Sequence, residues 1–343
     1  MQIINIMYLK IINIMYLKLL YVLIPVACFL NSCSNSRIDG TFFDYTQNLY
    51  AEKILVNEIY SPDGVTKSGN NFIISSSQSD KTIFIYDTPS LTFKSSTGIK
   101  GGGPDDIQTF PMFCHTLDDK YLYVRGYSHF SIRKIKIEPD GSFKFIDEYE
   151  LERSNEYNFM NIVQDSILLY YDNNNLSINK YDLKNKKKIK SIALKKEDHN
   201  ETYYYSNRGA IAANESFLMF SYLFKKQINI YDIENFKLIK TINDGKKYPG
   251  ITVYDQEITY HYLNTYAGKK YFYAMYAGQI IYNNRQIKND YSNQFLEVYD
   301  YEGNPIIKYA FDILPFQFVV DEDNGYIYGY NSNYEDYLLR YKL

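Results

Sequence analysis

From about residue 50 onward, apolar residues come in short runs that alternate with polar ones. Turn signals such as Pro62-Asp63-Gly64, Pro139-Asp140-Gly141 and Glu302-Gly303-Asn304 separate them. A period of two places successive side chains on opposite faces of a strand, and no part of this body carries a convincing helical stripe. Many short strands joined by tight turns predict an all-β sandwich, barrel or propeller.

Repeats decide among these. An alternating strand that closes in Tyr-Asp, followed by a turn and another strand, recurs at Ile83–Asp87, Ser177–Asp182, Ile228–Asp232 and Leu296–Asp300. Degenerate copies end at Lys136 and Lys342. The residues at the aspartate place are 87, 136, 182, 232, 300 and 342, giving steps of 49, 46, 50, 68 and 42. Periods in the forties with several strands each suit propeller blades. Each aspartate stands where its carboxylate reaches backbone N–H groups of the next turn, so these pairs read as structural. A further strand precedes each copy: Phe72–Ser75, Tyr121–Arg125, Ile167–Tyr171, Phe217–Tyr222, Tyr271–Tyr276 and Tyr326–Tyr330. Six copies predict six blades. The last blade runs out of chain one strand short, and Lys53–Ile59 is a spare strand. The two are expected to pair and close the ring, which removes an exposed edge. The 68-residue step places about twenty extra residues near Tyr248–Tyr266 or Asn283–Asn293, decorating one face.

The first 33 residues have a different character. Lys10 and Lys18 precede an apolar run from Leu19 to Phe29, and no acidic residue occurs before Cys33. A positive start, a short greasy core and small residues before a cysteine read as an export signal. The run is too short for a spanning helix, which needs about 20 apolar residues. The octapeptide Ile3–Lys10 recurs at Ile11–Lys18, so Met7 and Met15 compete with Met1 as the start. The ending Leu30-Asn31-Ser32-Cys33 resembles a bacterial lipobox. That resemblance makes residues 1–32 a signal peptide, Cys33 the lipid-bearing N-terminus, and 34 to 50 a polar linker before a propeller over 51–343.

Composition narrows the partners. Without residues 1–33 two lysines are lost from 37 basic residues, leaving 35 against 40 acidic ones, a net charge of −5. Nucleic acid demands a clustered basic surface, so it is not an expected partner. Of three cysteines only Cys114 lies in the body, so no intrachain disulfide is available there. The 39 tyrosines and 21 phenylalanines suit strands and half-buried surfaces.

No catalytic constellation emerges. The run Gly101–Gly103 precedes Pro104-Asp105-Asp106, whose acids repel phosphate, so it reads as a tight crossing between blades. The four histidines, His115, His129, His199 and His261, lack metal-ligand spacing, and no cofactor is implied. Carboxylate pairs such as Asp118-Asp119 and Asp321-Glu322-Asp323 read as hairpin turns, with calcium in a channel as the alternative use. Cys114 and His115 alternate along a strand and face opposite ways, which makes Cys114 a small buried hydrophobe. The basic run Lys184–Lys196 reads as a solvated hairpin. Loop-borne aromatics are the candidate ligand-binding residues: Tyr204 and Tyr205 with Arg208, and Tyr260, His261 and Tyr262 beside the insertion.

The segment Gly101-Gly102-Gly103-Pro104-Asp105-Asp106-Ile107 resembles the G-x-G-P-x-E-F loop of TolB-like six-bladed propeller lipoproteins of Bacteroides-type bacteria. Asp106 stands for the usual glutamate and Ile107 for the aromatic. Lys270–Gly278, Leu296–Tyr309 and Phe318–Glu322 look like the same family. The resemblance implies the fold and an envelope address, with Gly101, Gly103, Pro104 and Asp106 as structural loop residues. The expectation is a monomeric, lipid-tethered, all-β six-bladed propeller that binds a protein, peptide or glycan over one face of the ring. The alternative is a channel-centred, calcium-assisted hydrolase or lyase. Converging carboxylates and histidines in the channel would favour the enzyme, and an apolar lining would favour binding.

Overall fold

The computed structural model describes residues 43–343 except 60, 102–105, 108–109, 127–129, 154–155, 195–205, 249–256 and 283–293. The expected signal peptide and Cys33 lie outside the described residues, as do Gly103, Pro104, Tyr204 and Tyr205.

Two short strands, β1 (Thr46–Leu49) and β2 (Glu52–Leu55), come first. Blade one follows with β3 (Gly64–Ser68), β4 (Asn71–Ser75), β5 (Lys81–Asp87) and β6 (Thr92–Ile99). Blade two has β7 (Met112–Cys114), β8 (Leu122–Arg125), β9 (Ser131–Ile137) and β10 (Phe143–Glu150). Blade three has β11 (Asn158–Val163), β12 (Ile167–Asp172), β13 (Ser177–Asp182) and β14 (Lys187–Ala193). Blade four has β15 (Gly209–Ala213), β16 (Phe217–Tyr222), β17 (Gln227–Asp232) and β18 (Leu238–Asn243). Blade five has β19 (Glu257–Ala267), β20 (Phe272–Tyr282), β21 (Phe295–Tyr299) and β22 (Pro305–Phe311). Blade six has β23 (Gln317–Asp321), β24 (Tyr326–Tyr330) and β25 (Tyr337–Lys342). The protein is a six-bladed β-propeller, as the repeat spacing predicts.

The spare strand closes the ring. β2 pairs antiparallel with β25, Lys53 opposite Leu339 and Ile54 opposite Leu338. The strand ends earlier than the apolar run in the sequence. Val56 and Ile59 leave the ladder and are buried between blades six and one, against Phe72, Tyr86, Tyr328 and Leu338. A second N-terminal strand falls inside the segment expected to be linker. β1 adds parallel to β22, Thr46 opposite Lys308 and Leu49 opposite Phe311, so blade five has five strands. Its one buried side chain, Leu49, joins the cluster between blades five and six.

Six apolar clusters hold the blades together, one at each interface. Tyrosine supplies much of this packing. Tyr123, Tyr171 and Tyr341 are fully buried, and each spends its hydroxyl on a backbone carbonyl, of Asp165, Asn207 and Ile313 respectively. A ring that packs with its faces and satisfies its one polar atom suits a narrow seam between sheets.

The Tyr-Asp repeat marks the end of the third strand of its blade. Asp182, Asp232 and Asp300 accept hydrogen bonds from backbone N–H groups two to four residues on. Asp87 departs from this pattern: its carboxylate pairs with Lys94 at 3.3 Å. At the same place the outer strand carries one extra residue, and in blades three, four and five that residue is an exposed isoleucine, Ile189, Ile239 or Ile306. A bulge sharpens the twist and re-aims one side chain, and here it turns that side chain to solvent.

The described part of the motif loop packs between blades one and two. Ile107 is buried among Ile73, Ile85, Leu122 and Ile135 between blades one and two. Arg133 donates to the Asp106 carbonyl at 2.7 Å. A Cβ on Gly101 would lie 2.1 Å from the Asp106 carboxylate, which would have to swing aside to admit one. Within the basic run Lys187–Ala193 forms the mostly exposed outer strand β14; Lys186, just before it, pairs with Glu150, and Lys190 donates to the Asn235 carbonyl.

Candidate functional site: the central channel

The innermost strands β3, β7, β11, β15, β19 and β23 surround a cavity of about 910 Å³. It is lined by the first residues of β3, β7, β11 and β23 and by Leu263–Tyr266 in the second half of the longer β19. Its rim carries Phe110, Phe159 and Phe316, contributed by three different blades and exposed by 47, 40 and 37 %. Phe110 and Phe159 both sit in the left-handed backbone region, at φ +63° and +48°. For a bulky residue that conformation costs roughly 1–2 kcal/mol. Strain retained at two solvent-facing aromatics of one cavity rim calls for a use.

Below the rim the wall is mostly apolar or amide, with Met112, Phe113, Leu263, Asn158, Asn161 and Asn264, and it also carries Asp63, Thr66 and Thr265. The polar groups knit blades together. Gln317 of blade six donates to the Asp63 carbonyl of blade one at 2.8 Å. Asn161 of blade three accepts from the Ala213 N–H of blade four at 3.0 Å. The Asp63 carboxylate accepts the Ser77 N–H at 2.5 Å.

His115 lies deeper. Its Nε2 is 2.8 Å from the carbonyl oxygen of Ala267. Blades two and five face each other across a six-membered ring, so this bond spans the channel. A carbonyl only accepts, so Nε2 carries the proton. The imidazole rests on Tyr266, ring centres 4.5 Å apart, and burial pushes its pKa down from 6.5 to about 4. The ring is therefore neutral at pH 7, with a bare Nδ1. Cys114, its neighbour, points the other way, 1 % exposed beside Met160, and burial pushes its thiol up to about 12.

At the opposite ends of the inner strands the charges are paired. Lys67 reaches Asp321 at 3.6 Å, and Lys269 reaches Asp119 at 2.8 Å and Asp323 at 2.5 Å. Glu322 accepts the Lys270 N–H and the Tyr273 hydroxyl, both at 2.8 Å. These carboxylates, candidates for calcium by composition, have ammonium and N–H partners instead. Among the described residues no group of three or more acids, histidines or cysteines forms a metal-binding set.

The aromatics singled out beside the insertion take no part in the channel wall. The long step in the repeat lengthens β19 and β20 to 11 residues each, projecting from the end at which the cavity opens. Tyr260, His261 and Tyr262 sit at the root of this arm, against blade four. Tyr260 packs on Phe224 at 5.4 Å, and the His261 N–H donates to the Leu223 carbonyl. His261 is buried beside Tyr248 and Tyr276, and its Nδ1 has no hydrogen-bond partner among the described residues. Burial holds its pKa down to about 4, against the pull of Asp244. Tyr262 is buried and donates to Glu297 at 2.9 Å, and Tyr299 donates to the same oxygen at 2.8 Å. The Arg208 carbonyl accepts the Leu223 N–H. The rim phenylalanines escaped the sequence reading because each stands alone, Phe110 and Phe316 just before an inner strand and Phe159 at the start of one, with only the six-fold repeat to hint that these places converge.

Fold and cavity together define a six-bladed propeller with an aromatic-rimmed central pocket. No family model and no curated protein matches the sequence. Solved structures do resemble it. A Bacteroides fragilis protein described as exported superposes with a TM-score of 0.53 at 11 % identity, over 90 % of this chain and 96 % of that one. A structure of U3-55K superposes with a TM-score of 0.51 at 7 % identity, over 85 % and 98 %. At such identities the likeness is one of fold.

Proposed function

We propose that this protein is a propeller lipoprotein of the TolB-like kind, tethered to the bacterial envelope through Cys33, whose channel mouth seats a neutral peptide segment. The observation that carries the reading is the rim of three exposed phenylalanines, two of them held in strained backbone, around a 910 Å³ cavity. Large exposed apolar groups gathered at a concave site favour a ligand that buries them. Apart from Asp63, whose carboxylate accepts the Ser77 N–H, the polar groups of the wall are uncharged and mostly amides, which suits peptide groups better than a sugar's dense hydroxyl array or an ionic substrate. The envelope address is supported by the lipobox-like ending and by the exported description of the Bacteroides fragilis neighbour.

An array of N-acetylated hexapeptides probed with residues 34–343 tests the reading. Peptides with neutral aromatic side chains are expected to be retained, and the triple variant Phe110→Ala, Phe159→Ala, Phe316→Ala to lose them while keeping its unfolding midpoint. Retention indifferent to the triple variant, or none at all, refutes it. For the address, Cys33→Ser is expected to move the chain from the membrane to the soluble fraction. A variant that stays with the membrane refutes the anchor.

A further inference from the structure

We infer that the bare Nδ1 of His115 selects the ligand of the channel, and that the group inserted there is a neutral hydrogen-bond donor on an aromatic body, a phenol such as a tyrosine side chain. The inference rests on the peptide-binding reading above and deepens it. The Ala267 carbonyl fixes the proton on Nε2, and a tilted contact with Tyr266, ring centres 4.5 Å and planes 58° apart, holds the ring, so the hydrogen bond sets which nitrogen is left bare. No described residue donates to Nδ1, and Nδ1 is not among the fully enclosed polar atoms that lack a partner. It remains a lone pair on a ring that forms part of the cavity wall.

That lone pair discriminates by sign. A ligand carbonyl or ether at this depth would set one acceptor against another. A purely hydrocarbon ring would bury Nδ1 unsatisfied, a larger loss than a missed surface contact. A charged donor would have to shed its water in a wall whose one carboxylate already accepts the Ser77 N–H. A phenolic O–H meets each condition. Its ring can pack edge-on or offset against Phe113 and Tyr266, which also line the cavity. Sites built to pair one hydroxyl reject the analogue that lacks it more strongly than apolar pockets reject a methylene.

The test compares N-acetyl-tyrosinamide, its phenylalanine counterpart and its O-methyl ether by calorimetry on residues 34–343. The tyrosine amide is expected to bind about five-fold more tightly than either analogue, the value of one neutral hydrogen bond. In His115→Phe the three are expected to bind alike. Should that variant misfold, nitrogen-15 spectra of the wild-type histidines decide alone: the His115 Nδ1 resonance is expected to shift with the tyrosine amide and not with the ether. Equal binding of all three with Nδ1 unmoved, but still lost in the rim variant, overturns this inference and leaves the peptide reading standing. Binding by none of them overturns both.

Discussion

Two buried histidines should make this propeller lose stability in acid, and one substitution should remove half of their contribution. His115 and His261 titrate near pH 4 in the folded protein, against 6.5 for a free imidazole, because burial penalises the imidazolium. Between pH 6.5 and 4 the unfolded chain therefore binds protons that the folded chain refuses. Stability is full above 6.5 and falls as the pH drops toward 4. The lowering from 6.5 to about 4 corresponds to on the order of 3 kcal/mol for each ring. His261 is the cleaner probe. Among the described residues its buried Nδ1 has no partner, and Asp244, Lys226 and Lys246 are the charges that act on it. His261→Phe keeps a ring between Tyr248 and Tyr276 and forfeits no Nδ1 bond, so at pH 7 the variant should be as stable as the wild type. Urea unfolding of both proteins from pH 7 to pH 4 is the assay. The carboxylates that hydrogen bonds hold low, such as Asp182 through the Asn185 N–H and Asp323 through Lys269, act equally in both and cancel. The difference between the curves should open to about 3 kcal/mol at pH 4 in favour of the variant. Parallel curves refute the reasoning, since His261 would then be protonated at no cost.

Three further outcomes follow from the packing. Tyr262→Phe removes one of two phenolic donors from the buried carboxylate of Glu297, which is 1 % exposed, and should cost about 2 kcal/mol in urea unfolding; a loss below about 0.5 kcal/mol would assign that charge another partner. Gly209→Ala sets a Cβ 2.2 Å from the Ser221 carbonyl oxygen on the paired strand and 2.6 Å from the Phe220 ring, so a loss of about 1–3 kcal/mol is expected from the same measurement. Deleting residues 43–59 strips β1 and β2 from their blades and leaves β22 and β25 as bare edges; size-exclusion chromatography should show association, and a well-behaved monomer would mean that closure is dispensable.

How much of this was open to reading varies with the range of the force involved. The Tyr-Asp repeat could be read because strand alternation and aspartate-capped turns act within about ten residues. Blade number and the closing role of Lys53–Ile59 followed by counting strands. β1 could not be read: Thr46-Gln47-Asn48-Leu49 has no apolar alternation, and its partner Lys308–Phe311 lies over 250 residues away. Tyr260, His261 and Tyr262 were open to reading only as loop-borne aromatics beside the insertion; that His261 and Tyr262 are buried and that Tyr260 packs on Phe224 of blade four depends on contacts distant in sequence.

The order of apolar and polar residues thus settled the kind of sheet, the repeat length and the way the circle shuts, since each depends on neighbours along the chain. The channel belongs to no single stretch. Its rim gathers side chains from residues 110, 159 and 316, and His115 finds its acceptor 152 positions away on the facing blade. Those meetings depend on how six sheets curve around one axis, a geometry set by twist and by packing between blades rather than by any local pattern.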